Sequence, residues 1–152
     1  NNDRFILPTL KSRCINFNIF LDHKTSISVI NKILDDDIMK FINKDLINYY
    51  LTPGQIYHLI EFFKLQKHDL KDYDLKSFIK LVIKDNLYKK NVLIKNIIFE
   101  YLEFYFRTKV KLAKLRTFEY YDYFLKRIND TKKFNLDEES LFMEFEYKIL
   151  NG

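Results

Sequence analysis

Two glycines and two prolines in 152 residues leave this chain few places to turn sharply. A β-sandwich or barrel needs many tight turns, and glycine and proline are the residues that make them. The chain is therefore read as all-α, a set of helices joined by polar connections. Hydrophobic residues at 47% and aromatic residues at 17% supply ample core for one ordinary domain or two small ones. A single cysteine rules out an intramolecular disulfide framework and fits a reducing cytosol, so a cytoplasmic protein is expected. No apolar run approaches the roughly 20 residues that a membrane span needs. The net charge of +5 invites a nucleic-acid reading. The 21 acidic residues are interleaved with the 26 basic ones, however, which favours a mixed, solvated surface.

Residues 15–21 alternate as a strand would, with Ile15, Phe17 and Ile19 on one face. A lone strand cannot satisfy its own backbone groups. Its sheet is therefore expected upstream, and the polar start Asn1-Asn2-Asp3-Arg4 is read as the cut edge of a longer protein. Residues 22–67 read as three short helices. Asp22 or Thr25 caps the first, with Ile27, Ile30, Ile33 and Leu34 inward. Asp35-Asp36-Asp37 breaks it and opens the second, which carries Ile38, Phe41, Ile42, Leu46 and Tyr49, with a break near Asn43. Thr52-Pro53-Gly54-Gln55 opens the third as a capping box. Lys67–Tyr73 is polar and aperiodic, the best candidate for a linker. Beyond it, 74–152 reads as a second helical unit. Asp74 caps its first helix. The stretch 92–107 is apolar on almost every side, which places it at a bundle centre. A long helix is expected over 109–129, and a last one after Asn135-Leu136-Asp137-Glu138.

Few residues are grouped for chemistry. His23, His58 and His68 are isolated, and Cys14 has no partner at metal-ligand spacing. No serine lies in a nucleophile-elbow context, and two glycines cannot build a phosphate-binding loop. Arg13 remains. On spacing alone it reads first as an ordinary surface arginine. Its planar fork could also reach a phosphate oxygen in another subunit. Lys76, Lys80, Lys84, Lys89 and Lys90 offer a second option, a basic helical module that contacts nucleic acid.

The stretch Ile6-Leu7-Pro8-Thr9-Leu10-Lys11-Ser12-Arg13-Cys14 resembles the segment of AAA+ clamp-loader subunits that ends in a Ser-Arg-Cys motif. Its lead-in is most similar to the delta prime family of bacterial DNA polymerase III. The resemblance implies that residues 1–21 close an ATPase domain, that 22–67 form a helical lid, and that 74–152 form a helical collar that joins subunits. Arg13 would be a catalytic arginine finger acting in trans, flanked by Ser12 and Cys14, on ATP bound by a neighbour. Asn1-Asn2 would fall just after the sensor 1 strand. Thr52-Pro53-Gly54-Gln55 looks like the family's Ser-Pro-Gly-Arg segment, but Gln55 stands where the sensor 2 arginine would be. Asn135-Leu136-Asp137 is similar to the opening of the last collar helix, and 92–107 would be part core, part subunit interface. The implied partners are the gamma/tau and delta subunits and, through the complex, the sliding clamp and primed DNA. No cofactor or metal site is implied within this chain, which would be non-catalytic by itself. A gamma/tau ATPase subunit remains the alternative within the family.

Overall fold

The computed structural model describes residue 13, residues 21–110 and residues 116–151. The strand expected at 15–21 lies outside these residues except for Leu21, which is exposed and in neither helix nor strand. The described residues are mostly helical, in agreement with an all-α chain. Their one extended pairing is an isolated parallel bridge between Ile42 and Leu70.

Helix α1 spans His23–Leu34 and starts where the Asp22 carboxylate accepts the Thr25 N–H at 2.7 Å. Asp35 ends it in the left-handed conformation, which aspartate tolerates because its short polar side chain bonds locally. A 3₁₀ turn at Ile38–Lys40 and the short helix α2 at Lys44–Ile47 occupy the stretch of the expected second helix, divided at Asn43 where a break is expected. Asn43 is the reason, since its side chain accepts the Asp45 N–H and opens a new N-terminus. Helix α3, Pro53–Leu65, begins with the full capping box of Thr52 and Gln55. Helices α4 (Leu75–Lys84) and α5 (Leu87–Lys90) lead into α6, Val92–Val110. Helix α7, Arg116–Phe134, runs beyond the expected end at 129. Helix α8, Glu138–Phe145, opens on Asp137 and continues into a π turn, Glu146–Leu150.

Helix α6 is the centre, as its all-round apolar pattern predicts. It packs against α4, α5 and α7. Ile94, Ile97, Ile98, Tyr101, Leu102 and Phe106 on it are buried. Each such side chain contributes about 1.5–3 kcal/mol by leaving water. The core is filled largely by rings. Phe63 of α3 meets Phe78 of α4 at 5.2 Å, and Phe78 meets Tyr101 edge-on at 5.4 Å. Phe106, Phe124 and Phe145 form a second cluster that ties α6, α7 and α8 together. Edge-on rings set the positive rim of one against the negative face of the next, so the arrangement adds to simple burial.

Residues 22–67 and 74–151 bury their apolar side chains in one continuous cluster. The segment between them, read from its polarity as a linker, is fastened to the core. Leu70 is 2% exposed, its carbonyl accepts the Asn43 N–H at 3.1 Å, and the Lys71 carbonyl accepts from Asn43 Nδ2. Leu70 and Tyr73, three residues apart among charged and polar neighbours, are too few to set a periodicity, which is why the anchoring role of this segment is hidden in the sequence. Two inward assignments also change. Ile33 is 53% exposed, whereas Ser26 is fully buried on α1 and its Oγ donates to the Leu51 carbonyl at 3.0 Å. The buried stripe of α1 therefore runs through Ser26 and Ile30, one helical turn apart.

Candidate functional site

Arg13 lies in a turn and is exposed. Its flanking residues Ser12 and Cys14 lie outside the described residues. Gln55, at the position of the family's sensor 2 arginine, is engaged locally. Its Oε1 accepts the Thr52 N–H at 2.9 Å, and its own N–H donates to Thr52 Oγ1 at 3.3 Å. The side-chain oxygen is thus turned back onto the start of α3.

Among the described residues, no histidine is paired with a serine as base and nucleophile. His68 Nδ1 lies 3.1 Å from the Tyr73 hydroxyl, and its Nε2 lies 3.9 Å from Asp85. Ser26 is spent on Leu51, and Ser77 folds back on Asp74 as part of a cap. Among the described residues no group of three His, Cys, Asp or Glu side chains is placed to hold a metal. No helix among them is long and apolar enough to cross a membrane.

Several concave regions among the described residues carry polar groups, and two of them bring lysines from separate elements together. The first, of about 480 Å³, lies between α3, α6, α7 and the start of α8, and includes Gln55, Lys95, Glu100, Thr131, Lys132 and Glu138. Lys95 pairs with Glu138, and Lys132 reaches Glu103 at 3.2 Å while lying over the Phe99 ring. Burial holds the Glu100 carboxyl above its usual range, with Glu103 adding to the effect and Lys132 opposing it. Burial likewise raises the hydroxyl of Tyr49, which faces Glu100 and Glu103, and of Tyr101. Exposed pairs of this kind contribute little each, about 0–1 kcal/mol, so this region reads mainly as a seam between helices.

The second region, of about 300 Å³, lies between the 3₁₀ turn and the end of α3. Its floor is Phe41, Ile60 and Leu70, and its rim carries Lys40, Lys64 and Lys67. Lys40 is distant in sequence from Lys64 and Lys67, and the bridge of Ile42 to Leu70, with the hydrogen bonds of Asn43 to the Leu70 and Lys71 carbonyls, helps bring the two segments together. That separation hid the cluster from a search along the chain. No protein-family model, curated protein or solved structure matches this chain.

Proposed function

We propose that the chain is part of a delta prime-like clamp-loader subunit of bacterial DNA polymerase III. It braces the loader and supplies Arg13 to ATP bound by a neighbouring subunit. The observation that carries this reading is the stretch Ile6–Cys14, with its arginine exposed in a turn where a partner could meet it. An arginine fork matches a phosphate edge, and its fixed charge offsets the charge that builds up during phosphoryl transfer. In this reading 22–67 is the lid and 74–152 the collar. Their shared core would let the collar transmit its position to the lid as one body. Gln55 cannot act as a sensor 2 cation, which suits a subunit that braces rather than hydrolyses.

The test uses the full-length protein in a reconstituted loader. Arg13→Ala should assemble normally, while DNA-stimulated ATP hydrolysis falls by about 10³-fold or more, the usual worth of an arginine finger. Unchanged turnover would remove Arg13 from the site and leave the reading without support.

A further inference from the structure

The charged residues that line the seam of α3, α6, α7 and α8 are Lys95, Glu100, Lys132 and Glu138. Lys95 pairs with Glu138, and Lys132 pairs with Glu103 at 3.2 Å. Each lysine thus has a carboxylate of its own. Glu100 is left over. It forms no hydrogen bond or ion pair among the described residues, and Lys132 acts on it only from beyond bonding distance. Glu100 is also partly buried. Taking a carboxylate out of water without a bonded partner costs stability. A glutamine of the same size would carry no such cost.

Thr131 is a second group without a partner. It lies on α7, lines the same cleft and is 2% exposed, yet its Oγ1 meets no donor or acceptor. A helical threonine can satisfy its hydroxyl on the carbonyl one turn earlier, and Thr131 does not. Threonine in a helix divides between two rotamers, so this hydroxyl can turn to an incoming donor. Helices α6 and α7 pack together and bring the two groups to one cleft. Asn96 stands four residues before Glu100, and Asn135 four residues after Thr131. Both asparagines are exposed at the cleft, and neither side chain bonds to a described residue. The cleft therefore offers a carboxylate, a hydroxyl and amide oxygens, all acceptors, around one uncompensated negative charge. A primary ammonium matches that set, because it carries one positive charge and three N–H donors.

We infer that this cleft binds a small free primary amine, its ammonium bonded by the Glu100 carboxylate, the Thr131 hydroxyl and an amide oxygen of Asn96 or Asn135. The inference does not rest on the loader reading, since neither Arg13 nor any neighbouring subunit enters it. NMR titration of the protein with butylammonium, tetramethylammonium and butyrate tests it. Butylammonium should shift the backbone amide signals of Asn96, Glu100, Thr131 and Asn135 saturably, with a Kd at or below about 1 mM. Tetramethylammonium has the charge without N–H donors, and butyrate has the opposite charge. Each should bind at least about tenfold more weakly. Glu100→Gln keeps the size of the side chain and should weaken butylammonium binding about tenfold or more. Thr131→Val keeps the shape, removes the hydroxyl and should weaken it about threefold to tenfold. No saturable shift at these four residues, equal binding of either control, or unchanged affinity in either variant would each overturn the inference.

Discussion

Glu100 shows how a single side chain can work against the fold that holds it. Burial raises its carboxyl above the ordinary value in the folded state. The folded protein therefore holds this proton to higher pH than the unfolded chain does. Stability from this group is greatest below the unfolded value, falls as pH rises through the window up to the folded one, and stays low above it. Glu100→Gln removes the cost. It should raise the midpoint of urea unfolding at pH 7 and leave it nearly unchanged at pH 4, with the two curves diverging as pH rises between them. A variant less stable than the parent at pH 7 would show that Glu100 is held by a favourable partner. Nothing in the sequence marked this residue, because its burial comes from α6 sitting at the centre with neighbours on nearly every side. Thr52 and Gln55 were legible for the opposite reason: a capping box is made by residues three apart, and local spacing is all it needs.

At the scale of elements, helix starts were readable and buried faces less so. Asp22, Thr52, Asp74 and Asp137 each accept a backbone N–H at the expected N-terminus, worth about 1 kcal/mol per cap. Phe124 is fully buried on α7 against Phe106 and Phe145, while its neighbour Tyr123 is 43% exposed. Aromatic residues crowd every side of that helix, so spacing could not choose among them; the ring clusters of α6 and α8 did. Helix α4 sharpens the alternative reading of a basic binding module. Lys76, Lys80 and Lys84 share one face at four-residue spacing, and among the described residues Lys76 and Lys84 form no ion pair. Lys89 is instead held by Glu139 at 2.6 Å and Lys90 by Gln66. If α4 tracks a phosphate backbone with these three lysines, DNA binding should weaken with salt at a logarithmic slope of about −3. Lys76→Ala should then reduce that slope by about 1. A salt-independent signal, or none, would set the module aside.

For the whole molecule, the decisive contacts join residues distant in the chain, and this is what a linear reading could not supply. The Tyr101 hydroxyl, fully buried on α6, donates to the Leu46 carbonyl at the end of α2 at 2.7 Å, and the Tyr101 ring stands edge-on to Tyr49. With Phe63 and Phe78 it fastens 22–67 to the helices after residue 74. Tyr101→Phe keeps the ring but leaves a buried carbonyl without its donor, a loss of about 1–3 kcal/mol. The shared core makes the consequence global. Amide exchange in α1 and in α8 should accelerate together in this variant, and urea unfolding should remain a single transition at lower concentration. Acceleration confined to one of the two helices would mean that the segments open separately.

The π turn that follows α8 gives the chain a tolerance for changes in length. There the Asn151 N–H reaches back five residues to the Glu146 carbonyl, and the turn still delivers Leu150 to the core at 1% exposure. A π turn is an α turn holding one residue more than it needs. Tyr147, 78% exposed, is placed to be that supernumerary residue. A loss at this point closes the ring to ordinary α geometry and leaves Leu150 on the same side. A loss within α8 would instead rotate all that follows by about 100°, carrying Leu150 out of the interior. Insertions and deletions in descendants of this sequence should therefore collect at 146–149 and spare 138–145.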